Sequence, residues 1–257
     1  MSPRGWQRLL LAIVLIGLGA LVVRETSPSG SSGTTAIGHA PSGVTVLAAV
    51  SIAPAIIAMA PDDRLSSGNS DALAAQVIEG VPADVLVSAD LKSPAALHAK
   101  GLAEVPVVIG HDRLVVITPA ANPARIHSVS DLQQHGVRLV IGTAGSPIGR
   151  YTRAALAKLS LSGALRNVVS NAPDASTITT DVVLGDATAG VVYQSQAQGL
   201  GTKVKVIRIP AAAQPVINDS AVALVYAPHP AAAAAFVAYL LGPNGQAYLR
   251  RYGFLAP

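Results

Sequence analysis

The chain has 257 residues, enough for one large domain or two lobes of ordinary size, and 51% hydrophobic against 12% charged residues supplies a core and excludes extended disorder. The net charge of +4 is no nucleic-acid signature: half of it lies before Val44, where Arg4, Arg8 and Arg24 face only Glu25. Aromatics are 4% and no Lys/Arg run exists, so a basic, aromatic-studded binding face is absent.

In chain order, the first element is the uncharged run Leu9–Val23, preceded by Arg4 and Arg8. A basic start followed by an apolar stretch reads as an export signal. As a helix it would span roughly 22 Å, short of the ~30 Å hydrocarbon core, which suits a cleaved signal peptide. Arg24 and Glu25 follow at once without a good small-x-small cleavage site, so an uncleaved signal-anchor stays open. A buried core helix is the third reading, against which the chain terminus and flanking arginines speak. Residues 1–26 are thus the leader, cut or kept as an anchor, and residues 27–43, rich in Ser, Gly and Thr, read as a flexible tether. Everything after them is expected at the periplasmic or extracellular face of the membrane.

From Val44 onward, short apolar strands alternate with helical segments, an α/β pattern without internal repeats. Strands are predicted at Val44–Ala49, Asp84–Ser88, Arg113–Thr118, Arg138–Ile141, Ala189–Tyr193, Val204–Ile209 and Ser220–Tyr226. Helices are predicted at Pro54–Ala60, Asp71–Ile78, Pro94–Lys100, Val129–Gln134, Gly149–Leu159, Ser176–Leu184, Pro230–Leu241 and Pro243–Arg251. Arg113–Pro123 and Gln214–Tyr226 read as two crossover strands. They divide the exported part into lobe 1, residues 44–118 and 218–257, and lobe 2, residues 119–217. Two α/β lobes joined by two strands make a hinged clamp with its ligand in the cleft.

The absence of cysteine removes disulfides, thiolate metal sites, a Cys nucleophile and a lipid-bearing cysteine anchor. His39, His98, His111, His127, His135 and His229 lack ligand spacing and read as surface or loop residues, so no metal or other cofactor is expected. No nucleophile elbow of the G-x-S-x-G kind and no carboxylate pair is found, so an enzyme is not expected.

Four places present hydroxyls or free N–H groups at helix starts and strand ends. In VTVLAAVSIAPA, Val44–Ala55, a strand turns straight into a helix, because Pro54 fits only a first turn, and Ser51 sits at that corner. Ser70 precedes the helix starting at Asp71 and reads as its N-cap. In GSPIGRY, Gly145–Tyr151, Pro147 leaves the N–H groups of Ile148 and Gly149 free to face a ligand. Tyr193 ends the strand AGVVY with a phenolic donor. Singly, each has an ordinary reading: a serine caps, a glycine turns, a tyrosine packs. Together they describe an anion site built from dipoles and neutral donors.

These segments also carry a family resemblance. VTVLAAVS, GNSDAL, EGVPADVLVSAD, SPIGRY, GVVYQSQA and the terminal RYGF, spanning Val44 to Phe254, resemble the molybdate-binding proteins of ABC importers. The resemblance implies a two-lobed periplasmic-binding-protein fold of type II. It also implies that a tetrahedral oxyanion, molybdate or tungstate, is passed to an ABC permease by a protein acting as a monomer. The ligand would be held without a cation, by the hydroxyls of Ser51, Ser70 and Tyr193 and by backbone donors at Ile148 and Ala175. The chain departs from the pattern twice. The segment between Ser51 and Ser70 is shorter, which implies a missing second strand, a thinner sheet or altered edge, and a doubtful reach for Ser70. Asp71 stands where the family has a small neutral residue: it either repels a dianion or, as first-turn placement favours, faces solvent. The rival to a transport component is a membrane-tethered paralogue of the same fold, serving as a sensor or binding another anion such as sulfate.

Overall fold

The computed structural model describes residues 37–257. The expected leader, and the expected tether as far as Ala36, lie outside the described residues. The elements run β1 (Thr45–Ala49), α1 (Ala53–Met59), β2 (Arg64–Gly68), α2 (Ser70–Ile78), β3 (Val85–Ser88), α3 (Lys92–Ala99), β4 (Val107–Asp112) and β5 (Leu114–Pro119). They continue with β6 (Leu139–Gly142), α4 (Pro147–Lys158), β7 (Val168–Ala172), α5 (Ala175–Leu184), β8 (Ala189–Tyr193), α6 (Gln194–Gly199) and β9 (Val204–Arg208). β10 (Ile217–Ala223), α7 (Pro230–Leu241) and α8 (Pro243–Arg251) close the chain.

The strands form two five-stranded sheets, ordered β2-β1-β3-β10-β4 and β7-β6-β8-β5-β9. Each holds a parallel trio, β2-β1-β3 or β7-β6-β8, extended by one antiparallel strand, β10 or β5. This is the two-lobed α/β fold expected. In the first sheet the strand period of two is visible in the core: Val46, Ala48, Val85, Val87 and Ala221 join one cluster, while Leu47, Leu86 and Val222 join Leu73 and Leu97 on the opposite face. In the second sheet α5 lies close against β8, where a Cβ on Gly190 would stand 2.6 Å from Ile178 Cγ2.

Five expectations change. A strand does follow Ser51: β2 pairs in parallel with β1, Thr45 opposite Arg64 through Ala49 opposite Gly68. It is an edge strand, so its RLSSG sequence needs no apolar alternation to pair on one side. β4 and β7 are two further strands beyond those predicted. The lobe boundary also moves, because β5, expected in lobe 1, pairs with β8 and β9 in the second sheet. The chain therefore changes sheets at Arg113, whose N–H donates to the Asp112 carboxylate at 2.6 Å. Finally, Ile37–Gly43 is no free tether. Tyr239 donates to the Gly38 carbonyl at 2.5 Å, Ala40 N–H to Met59 O at 2.7 Å, and Gly43 N–H to Asp63 at 2.6 Å. The predicted helix Val129–Gln134 is a short 3-10 turn, Val129–Gln133, with a Ser128/Asp131 capping box.

Candidate functional site

The C-terminal ends of the parallel strands of both sheets converge on one cavity, as ligand sites in α/β sheets do. Ala49 ends β1, Gly68 ends β2, Ala89 follows β3, Pro173 follows β7 and Tyr193 ends β8, and all of them line it. So do Ser51, Ser70, Ile148 and Ala175, which brings these four sequence-predicted residues together with the fifth, Tyr193. Its free volume is about 20 Å³. That is room for about one or two water-sized bodies, far below the roughly 300 Å³ or more of a pocket for an organic ligand.

Each donor is set by its local sequence. Ser51 lies one residue before the α1 N-cap, Ile52, and Pro54 occupies the first turn as expected. Ser70 is not the cap of α2. Asn69 takes that role, its side chain accepting from Ala72 N–H at 2.8 Å, and Ser70 becomes the first helical residue. Its Oγ accepts from Ala89 N–H at 3.1 Å, which leaves the hydroxyl hydrogen to donate elsewhere. Ser70 is buried and lines the cavity.

The two contributions from the second sheet are first turns of longer helices. Ser146 caps α4, donating to Thr143 O at 3.0 Å and accepting from Gly149 N–H at 3.3 Å. Gly149 N–H is thus spent inside the turn, and Ile148 alone keeps the free donor expected of both. The tight approach depends on glycine: a Cβ on Gly149 would lie 1.8 Å from Thr143 O, and one on Gly142 2.5 Å from Ile148 Cγ2. At α5, Asp174 is the cap, accepting from Thr177 N–H at 2.9 Å and from its hydroxyl at 3.1 Å. Ala175 then stands at the first position, where a helix N–H has no partner within its own helix. Ser146 and Asp174 also line the cavity. A helix-start proline or an Asx cap is the sequence signal that finds them.

Tyr193 is the decisive residue. It is 3% exposed, and its hydroxyl has no hydrogen-bond partner among the described residues. Burial pushes the phenol well above its ordinary range, so it stays a protonated donor. A buried donor left unpaired costs about 1–3 kcal/mol, a cost that a ligand acceptor would remove.

Asp174 is the only charged residue among those lining the cavity. Behind Tyr193 lies a buried carboxyl pair. Asp112 accepts from Ser195 Oγ at 2.5 Å, and burial, partly opposed by its hydrogen bonds, pushes it up to about 6. Asp219 Oδ2 is buried without a partner, and burial beside the Asp112 charge holds that carboxyl protonated well above the usual range. The Asp71 side chain is 40% exposed, as first-turn placement favours, and does not line the cavity. It accepts from Ser93 Oγ at 2.9 Å and pairs with Arg150 of α4 at 3.0 Å. Two wider clefts exist, of about 510 and 860 Å³. The first shares Val50 and Ser51 with the small cavity, and its unpartnered buried atom is the amide oxygen of Gln196.

Residues 44–255 match the family of bacterial extracellular solute-binding proteins. The molybdate-binding protein of Mycobacterium tuberculosis is 34% identical over 193 residues, covering 74% of this chain and 72% of that protein. The molybdate-binding protein of Escherichia coli is 30% identical over 229 residues, covering 82% and 88%. Among solved structures, the periplasmic molybdate-binding protein of Azotobacter vinelandii superposes with a TM-score of 0.76 at 24% identity, covering 84% of this chain and 100% of that one. A sulfate-binding protein of Mycobacterium tuberculosis gives 0.70 at 18%, covering 83% and 86%. Below 25% identity these likenesses establish the fold.

Proposed function

We infer the function from membership: the chain belongs to the bacterial extracellular solute-binding proteins, and we propose that it captures a tetrahedral oxyanion, molybdate or tungstate, between its two lobes. It is a binding protein and not an enzyme. In this reading Ser51, Ser70 and Tyr193 donate through hydroxyls, and Ile148 and Ala175 through backbone N–H groups. The closed complex docks on an ABC permease, with the protein acting as a monomer on the outer side of the membrane. Among the described residues no helix is long and apolar enough to cross a membrane, so anchoring would rest on residues 1–26. A mass measurement of the mature N-terminus separates cleavage from anchoring.

The observation that carries the reading is the unpartnered, buried Tyr193 hydroxyl at the point where α2, α4 and α5 begin. Neutral donors suit a dianion that must later be released. Hydrogen bonds to a charged group contribute about 1.5–3 kcal/mol each, so five offset the ordering and association costs of binding. Helix dipoles add to the field at the same point. Size selection would come from how the lobes close around the ion, which would separate a larger oxyanion from sulfate by fit. Isothermal titration with molybdate, tungstate, sulfate and phosphate tests the proposal. Molybdate and tungstate should give the tightest binding, and folded protein that releases no heat with any of the four would overturn it.

A further inference from the structure

Three charged side chains form a bridge between the lobes beside the cavity, and none of them lines it. Arg150, on the first turns of α4, sends one guanidinium nitrogen to Asp71 Oδ2 at 3.0 Å and the other to Asp90 Oδ2. Asp71 belongs to α2 and Asp90 follows β3, both in the first lobe, whereas α4 packs on β6 in the second. Each member is tied to the cavity through the chain: Asp71 follows Ser70, Asp90 follows Ala89, and Arg150 stands two residues after Ile148. Asp90 is the better buried acid, with a side chain 3% exposed against 40% for Asp71. Its Oδ1 accepts from Ser88 Oγ at 3.0 Å and Ser93 N–H at 3.1 Å, so Arg150 serves Oδ2 alone.

We propose that Arg150 is a positioning residue that clasps the lobes shut over the anion by neutralising Asp71 and Asp90 only when the lobes meet. The proposal rests on the oxyanion-binding reading above. The electrostatics make closure conditional. With the lobes apart, water solvates both carboxylates. Closure strips water from Asp90 Oδ2 and brings both acids towards a bound dianion, and without a cation each step is unfavourable. Arg150 supplies that cation from the opposite lobe, and its planar fork reaches two acids at once where a lysine would reach one. The ligand itself meets neutral donors, so the clasp sets how long the complex stays closed without adding a cation to the site. Open, the first lobe presents two uncompensated acids and the second presents Arg150. An incoming anion is therefore received first by the Ser146–Ile148 turn.

The test uses release rates together with lobe separation. The chain has no cysteine, so labels at Glu79→Cys and Lys158→Cys, exposed positions near the ends of α2 and α4, report inter-lobe distance by pulsed electron resonance. Arg150→Gln should raise the molybdate off-rate about 10- to 100-fold, should lower the on-rate by a smaller factor because the steering charge is lost, and should widen the distance distribution of ligand-free protein. Adding Asp90→Asn to Arg150→Gln should recover most of both, because the charge that opposes closure is then gone. Asp71→Asn, on a half-exposed acid, should raise the off-rate by a smaller factor, and high salt should mimic it. Arg150→Gln with an unchanged off-rate and distance distribution overturns the clasp. So does a defect that Asp90→Asn fails to suppress, since it would then come from another Arg150 contact. Should the wild-type protein bind no oxyanion, the proposed function fails, while the distance distributions of ligand-free protein still decide the clasp.

Discussion

Replacing Tyr193 by phenylalanine separates a ligand donor from a packing residue, because the two roles predict opposite signs in two measurements. The ring is 3% exposed and the hydroxyl unpartnered among the described residues, so Phe keeps the packing and removes only an unsatisfied polar atom. Relief of that buried group should leave ligand-free protein as stable as wild type or more stable, by up to about 1–3 kcal/mol. In the complex the same change deletes one hydrogen bond to a charged ligand, about 1.5–3 kcal/mol, or roughly 10- to 100-fold in Kd. Thermal melting without ligand and calorimetric titration with molybdate read the two effects. The melting temperature should hold or rise while Kd rises. Because burial keeps the phenol protonated, the ratio of mutant to wild-type Kd should be flat from about pH 6 to 9. A lower melting temperature with unchanged Kd would refute the reasoning, since Tyr193 would then be holding the fold and not the ligand.

Three other changes follow from the same geometry. Ser70→Ala removes both the acceptor for Ala89 N–H and a ligand donor, so titration should show a Kd about 10- to 100-fold higher and melting a loss of about 1 kcal/mol. Gly149→Ala would set a Cβ 1.8 Å from Thr143 O, and denaturant unfolding should show a loss above about 3 kcal/mol together with loss of binding. In the buried carboxyl pair, Asp112 and Asp219 both have folded pKa values above their unfolded ones, so the folded state binds protons more tightly. Their stabilising contribution is complete below about pH 4 and is lost as pH rises through the folded values, near 6 for Asp112. Asp219→Asn should therefore raise the melting temperature at pH 8 more than at pH 4 and flatten the profile, and a steeper profile would contradict the assignment.

The part of this site legible in the sequence is the part fixed by local rules. A proline three residues after Ser51 marks a strand-to-helix corner, Pro147 marks a helix start, and AGVVY reads as a strand whatever surrounds it. These rules put the donors at strand ends and helix starts, and an α/β sheet gathers such points on one side. What they could not decide is which neighbour spends which hydrogen bond. Ser70 and Asn69 are both good cap residues, and only the fold shows that Asn69 caps, leaving the Ser70 hydroxyl to the cavity. Likewise Ile148 and Gly149 look equally free until Ser146 is seen to take the second.

The misread strands share a different cause. β2, β4 and β7 each lie at an edge of their sheet, and the sequences of β2 and β7, RLSSG and VVSNA, carry too little apolar pattern to announce themselves. Without β2 the corner at Ser51 reads as the start of a lobe lacking a strand, whereas the strand is present and pairs with β1 along all five of its residues. Asp71 shows the deeper limit. Viewed along the chain it had two fates, repulsion of the ligand or exposure to solvent, since its neighbours are Ser70 and Ala72. Its partner Arg150 is 79 residues away and on the other lobe, and no local rule connects them. Once paired, the acid is neither a threat to the anion nor a decoration of the helix start. In the proposed clasp it is the more exposed of the two acids that Arg150 bridges, so the residue that looks least compatible with anion binding contributes, less than Asp90, to the charge balance of closure.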